Sequence, residues 1–196
     1  MAIYIPRWVA VRQYVDSLNI FTDDRFRQDA VSARASARGA ATALATRLLV
    51  KLGVQKPPVN IIHFATHFGI TLMVGAKDEP QFNYDIALDV RDPATVRLWV
   101  HDKMHFQEQR SFYAHAMGHL FLHPFPDSKV LTCSWYENTE DIFEHEATAF
   151  ARELLMPIWM VERERKDPFY FNEFQLAKQF DVHSSDMHRR LELFKN

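Results

Sequence analysis

The sequence predicts an α+β fold in which helices surround a small, mostly antiparallel sheet. Apolar residues recur at helical spacing in several segments, of which Ala41 to Leu52 is a good example. In Thr95 to His101 they instead alternate with Arg97 and Trp99, which is typical of a half-buried strand. A helix that begins near Gln107 and carries two histidines follows this strand directly. We therefore expect N-terminal helices and the sheet to pack against that histidine-bearing helix, with C-terminal helices completing the core.

Glycine, proline and small polar residues define the bounds of the predicted elements. Gly53 stands where a left-handed residue commonly ends a helix, Gly69 stops the helix that precedes it, and Pro157 ends the longest helical segment. Predicted helix caps are Asn60, Asn172 and either Ser184 or Ser185. The other predicted helices are Val9 to Leu18, Ile61 to Phe68, Glu137 to Met156, Glu173 to Phe180 and Asp186 to Phe194, and the other strands are Ile70 to Val74 and Phe82 to Val90. Residues 125–136 are predicted to be an irregular link.

Composition excludes several classes of protein. The chain has 196 residues, a formal net charge of −2 and one cysteine, Cys133. A disulfide framework and a cysteine-based zinc knuckle are therefore excluded, and no basic field favours nucleic acid. No apolar run approaches the roughly 18 residues of a membrane span. We expect a soluble cytoplasmic protein that binds neither membranes nor, directly, nucleic acid. The Arg-rich segment Arg25 to Arg38, predicted to be a solvated helix that is either separate from the next one or continuous with it, could contradict the last point.

Histidine spacing indicates a metal site on the central helix. Four histidine pairs are four residues apart, namely His63/His67, His101/His105, His115/His119 and His119/His123. The spacing alone is therefore weak evidence. His115 and His119 lie in a predicted helix, where positions i and i+4 share a face and can reach one ion. Gly118 leaves room there for a second backbone to approach closely. The pair His63/His67 lies on a short predicted helix without an acidic partner nearby. The pair His101/His105 lies across the end of a predicted strand.

A zinc hydrolase usually has three protein ligands and one position for water. The acidic candidates for the third ligand are Glu137, Glu140, Asp141, Glu144 and Glu146 on the following helix. Glu144 and Glu140 share one face beside the apolar stripe; Glu144 is the favourite, and Glu140 stays open. His123 is about 12 Å from His115 along a straight helix. Ligand atoms lie about 2 Å from zinc, so we assign His123 to the surroundings of the site rather than to the ion.

The two motifs together resemble the ImmA/IrrE family of metallopeptidases, over about residues 40–193. The helix motif of that family is matched by Phe112, Ala114, His115, Gly118, His119, Leu120, Leu122 and His123. Its second motif is matched by Glu144, Ala147, Phe150, Ala151, Leu154, Leu155, Met156 and Pro157. The resemblance implies a zincin-like fold and zinc, or alternatively Mn²⁺, bound by His115, His119 and Glu144. It also implies a protein substrate, a helix-turn-helix repressor whose cleavage derepresses stress or mobile-element genes.

Two residues depart from the family pattern. Thr148 replaces an asparagine one turn beyond Glu144, which changes the hydrogen bonding available around the ligands. Ala116 stands at the position of the catalytic glutamate, the general base that takes a proton from metal-bound water. We therefore expect binding of metal and partner without turnover. Either the alanine was introduced to inactivate a peptidase, which retention of all three ligands favours, or the chain is a natural pseudoprotease that binds a partner without cutting it.

The resemblance also predicts the domain organisation. Residues 1–37 are predicted to be an N-terminal helical extension and residues 38–160 the zincin-like metallopeptidase domain. Residues 161–196 are predicted to form a C-terminal helical subdomain packed on the same core.

Overall fold

A computed structural model describes residues 7–17, 30–76, 86–124, 130–133, 141–167 and 172–194. The helices in these ranges are α1 (Arg7–Asp16), α2 (Ala30–Lys51), α3 (Ile61–His67), α4 (Phe106–Leu122), α5 (Ile142–Leu155), α6 (Ile158–Glu164), α7 (Glu173–Phe180) and α8 (Ser184–Glu192). The strands are β1 (Ile70–Gly75), β2 (Ile86–Asp89), β3 (Val96–His101) and β4 (Val130–Cys133). None of the described helices is long and apolar enough to cross a bilayer.

The four strands form one mixed sheet in the order β1-β3-β2-β4. β1 runs parallel to β3, whereas β2 is antiparallel to both β3 and β4, with Leu88 opposite Leu98 and Leu131. Val96, Leu98 and Val100 are fully buried, which confirms the face predicted from their alternation. The prediction of an α+β fold with a small, mostly antiparallel sheet is confirmed.

Helix α4 is the element on which the others meet. It contacts β2, β3, α1, α3 and α5, and it is buried on almost every side from Arg110 to Phe121. Arg110 fixes its N-terminal half by donating to the carbonyls of Asp181 and Val59, at 3.1 Å each. Phe121 packs edge-on against Phe150 of α5, with ring centroids 5.5 Å apart. The histidine-bearing turns are thus held rigidly between sheet and helices.

Most predicted helix ends are confirmed. The side-chain oxygens of Asn60 and Asn172 each accept a backbone hydrogen bond at the start of α3 and α7. Gly53 and Gly69 have φ of 66° and 68°, the left-handed conformation that a glycine adopts without strain. Helix α2 runs without a break through Gly39, so the two predicted helical segments are continuous from residue 30 onward, while residues 25–29 lie outside the described residues.

Four predictions about the elements need correction or lie partly outside the described residues. The link predicted at 125–136 contains β4, whose four residues are too few for an alternating pattern and are defined by pairing with β2. Pro157 ends α5 but also starts α6, because a proline at the beginning of a helix loses no hydrogen bond. The cap of α8 is His183, whose Nδ1 accepts from the Ser185 N–H, rather than Ser184 or Ser185. Residues 81–85 and 137–140, predicted to begin β2 and α5, are not among the described residues.

Candidate metal centre

The site depends on an unusually close approach of α4 to α5. A Cβ placed on Gly118 would lie 2.8 Å from the Cα of Ala147 and 3.0 Å from its carbonyl oxygen. Real Cβ atoms do not come so close to backbone, so any side chain at this position would separate the helices. Glu144 is almost one turn before Ala147, and the contact therefore brings its carboxylate to the histidines. The role predicted for Gly118 is confirmed.

His115, His119 and Glu144 converge on one point and can together hold a metal ion. Their ligand atoms all lie within 4.8 Å of one another. The two Nε2 atoms are 3.1 Å apart, and they lie 3.0 Å and 3.3 Å from the Glu144 oxygens. Ligands at about 2 Å in a tetrahedron are separated by about 3.3 Å, so the donor set has the size that zinc requires.

Burial and hydrogen bonding favour the protonation states that a metal needs. Burial lowers the pKa of His115, against the opposing effect of its hydrogen bond to Glu144. Burial by itself would raise the pKa of Glu144, but the hydrogen bonds with His115 and His119 outweigh it and hold that pKa well below its usual range. A neutral imidazole and a carboxylate are the forms that coordinate metal ions.

A second row of polar groups lies behind the three candidate ligands. His119 Nδ1 is 2.9 Å from His123 Nδ1, and His123 Nε2 is 2.8 Å from Glu146 Oε2. If the carboxylate accepts from His123 Nε2–H, His123 Nδ1 must accept from His119 Nδ1–H. This tautomer leaves the Nε2 lone pair of His119 directed at His115 and Glu144. Thr148 Oγ1 lies 3.4 Å from His115 Nδ1 and occupies the corresponding place behind the other histidine.

Other predicted candidates lie elsewhere. Asp141 caps α5 by accepting from the Phe143 N–H, and Glu137 and Glu140 lie outside the described residues. His63 and His67 are exposed, and His101 accepts from the Lys103 N–H. Ala116 is fully buried. The contact of Glu146 with His123 was not predicted, because it joins residues 23 positions apart on different helices.

These observations define a class: an α+β domain with a two-histidine, one-glutamate group on two contacting helices that can hold a divalent metal. Comparison with known proteins places the chain within that class. The family model described as IrrE N-terminal-like domain, of peptidase family M78, matches residues 65–192. This is more than half of the chain and includes both motifs. The protein belongs to the ImmA/IrrE family of metallopeptidases.

A curated relative agrees with this assignment. The chain is 34% identical over 94 residues to metallopeptidase ImmA of Bacillus subtilis (strain 168). The match covers 47% of this chain and 54% of the relative. The chain thus spans about half the length of the protein it matches.

Proposed function

We propose that this protein is a regulatory endopeptidase of the ImmA/IrrE type, with zinc as its metal and a helix-turn-helix repressor as its substrate. The observation that carries the proposal is the convergence of His115, His119 and Glu144 at spacings of 3.0 to 3.3 Å. The choice of a repressor comes from the family resemblance. Mn²⁺ is the alternative metal, since imidazole and carboxylate donors accept both ions.

The residues of the site have separate tasks. His115, His119 and Glu144 would hold the ion, which supplies Lewis-acid polarisation of a peptide carbonyl and an acidified water. Glu146 and His123 orient His119 through the Nδ1 contact, and Thr148 accepts from His115 Nδ1–H. Partners of this kind fix the tautomer and ring orientation of a ligand. Tyr113 takes no part, because its hydroxyl donates to the Met73 carbonyl at 2.8 Å and burial raises its pKa to about 12.

Ala116 leaves the site without a proton acceptor at the position that follows the first ligand. A methyl group can neither accept a proton from water nor deliver one to the leaving amine. General acid–base catalysis contributes about 10² to 10⁴-fold to a rate. We therefore infer that the chain as it stands binds metal and substrate but cleaves very slowly.

Restoring the carboxylate tests the proposal. The Ala116→Glu variant, loaded with zinc, should cleave its repressor about 10² to 10⁴ times faster than the chain with Ala116. Candidate substrates are purified helix-turn-helix repressors, with products identified by mass spectrometry. Ala116→Gln is the matched control, because it has the same size and no base.

The outcomes separate peptidase from binding module. Zinc at about one equivalent together with EDTA-sensitive cleavage by Ala116→Glu supports the peptidase. A repressor that binds tightly but stays intact with Ala116→Glu would instead support a pseudoprotease, for which the alanine itself is the favouring observation. Binding of less than about 0.1 equivalent of zinc would sink both proposals.

A further inference from the structure

A cavity of about 240 Å³ opens beside Glu144, and three arginines line it. Arg38 comes from α2, Arg152 from α5 and Arg189 from α8. The other described residues that line it are Glu144, His145, Thr148 and Ala149 of α5. The cavity therefore shares a wall with the candidate metal centre.

One face of α5 connects the metal centre to the arginines. Glu144, Thr148 and Arg152 are spaced at i, i+4 and i+8, so they lie on the same side of the helix. Each step of four residues advances about 6 Å, which puts the α-carbons of Glu144 and Arg152 about 12 Å apart along the axis. An extended peptide advances about 3.3 Å per residue. A peptide whose scissile bond lies at the metal would thus reach the arginines within about four residues.

Among the described residues that line this cavity, three are arginines and one, Glu144, is a carboxylate. Glu144 faces the histidines, and the Asp186 carboxylate lies near Arg152. Burial lowers the pKa of Arg152, and the like charges of Arg190 and Arg38 lower it further, against the effect of Asp186. Arg190 is itself bonded to Glu153. Arg38 and Arg189 are exposed, so a ligand can reach them from solvent.

We propose that this cavity is a substrate subsite that binds a carboxylate, namely an Asp or Glu side chain within about four residues of the bond to be cut. The guanidinium group suits this ligand because its planar fork donates two parallel hydrogen bonds to a carboxylate. The inference builds on the proposed function, since it assigns a substrate preference to the same site.

Binding to the intact chain tests the subsite without requiring cleavage. The probes are fluorescein-labelled decapeptides, acetylated and amidated, in which one Glu is moved along an uncharged sequence, and a matched series with Gln. Fluorescence anisotropy on the zinc-loaded protein with Ala116 should show about tenfold tighter binding for Glu than for Gln at a preferred position. Arg38→Gln and Arg152→Gln should remove that preference, and Arg152→Glu should reverse it in favour of Lys.

Three variants show whether a lost preference for Glu comes from the arginine charge or from a general change in the structure. Arg152→Lys keeps the charge and should retain much of the preference. Arg91→Gln removes an exposed arginine beside Asp89 and should change nothing. Arg38 is exposed, so its replacement keeps the test valid even if Arg152 variants fold poorly.

Several results would overturn the proposal. One is equal binding of Glu and Gln peptides at every position, and another is a preference that survives both arginine replacements. Tighter binding of a peptide with a free C-terminal carboxylate than of any internal Glu would assign the cavity to chain ends instead. Arginine-dependent binding of a 20-nucleotide single strand, without any preference for Glu, would assign it to nucleic acid.

Cleavage by Ala116→Glu of the same peptides separates this inference from the proposed function. If binding shows an arginine-dependent preference for Glu but neither peptides nor repressors are cleaved, the subsite is supported and the peptidase proposal is contradicted. Cleavage of the Glu and Gln peptides at equal rates would instead support the peptidase and contradict the subsite.

Discussion

Two of the carboxylates on helix α5, Glu144 and Glu153, have opposite environments. Glu144 and Glu153 are nine residues apart, which puts them about 180° apart around the helix. The Glu153 side chain is fully buried and binds Arg190, the Thr46 hydroxyl and the Ile158 N–H. The Glu144 side chain is 22% exposed and faces two imidazoles. One helix thus has a closed polar cluster on one face and an open one on the other.

The difference between the clusters lies in the partner. A guanidinium stays protonated in proteins, so Glu153 and Arg190 form a permanent ion pair that joins α5 to α8. An imidazole can lose its proton and direct a lone pair at the place where the carboxylate also points. We infer that the Glu153 cluster stabilises the fold, whereas the Glu144 cluster has a geometry that can hold a metal ion.

The largest expected effect is on stability, at the closed cluster. Glu153→Gln should lower the free energy of unfolding by about 3–5 kcal/mol, because it leaves the buried charge of Arg190 uncompensated. Glu144→Gln should cost the metal-free protein less, because the Glu144 side chain is partly exposed and solvent screens its interactions with the two imidazoles. Urea denaturation of both variants measures the contrast. Equal losses would erase the distinction between the two clusters.

A smaller effect is expected where α4 meets α5. Gly118→Ala should cost about 1–3 kcal/mol, because its methyl group would collide with the Ala147 backbone. It should also weaken metal binding by moving Glu144 away from the histidines. Gly39 offers the matched control, since a Cβ there meets nothing within 4 Å, and Gly39→Ala should stabilise α2 by about 0.5–1 kcal/mol. Thermal unfolding and zinc titration of both variants measure these effects. Unchanged stability and zinc affinity in Gly118→Ala would refute the close approach of the two helices.

The smallest expected effect concerns the residues behind the ligands. Glu146→Ala should weaken zinc binding by about 10 to 100-fold, because His123 no longer orients His119. The Glu162→Ala control removes an exposed carboxylate of α6 paired with Lys166 and should leave the affinity unchanged. Competition with a chromogenic chelator measures both affinities. An unchanged affinity for Glu146→Ala would mean that His119 is held by packing alone.

Local patterns in the sequence were sufficient for much of the fold and the site. Alternation identified β3, and the spacing of His115 and His119 identified the face that meets Glu144. The glycine before His119 indicated a close backbone approach. Each of these signals lies within a few residues, because helix and strand periodicities are properties of a single segment.

What the sequence did not reveal depends on pairing between distant segments. β4 is a strand because β2 lies beside it, and its four residues carry no periodic signal. The Glu153–Arg190 pair joins residues 37 positions apart, and no local rule selects this arginine among the others. The contact of Glu146 with His123 requires the crossing of α4 and α5 to be known first.

The close contact of α4 and α5 at Gly118 also means that a metal bound beside it would cross-link the two helices. Two of the three candidate ligands belong to α4 and the third to α5, so an ion in this site would join two helices whose contact is otherwise maintained by packing. A ligand that binds only the folded state stabilises it, by about 2.7 kcal/mol when its concentration is 100 times its dissociation constant. The lifetime of the folded protein would then follow the free metal concentration of its surroundings, whether or not the chain can cut.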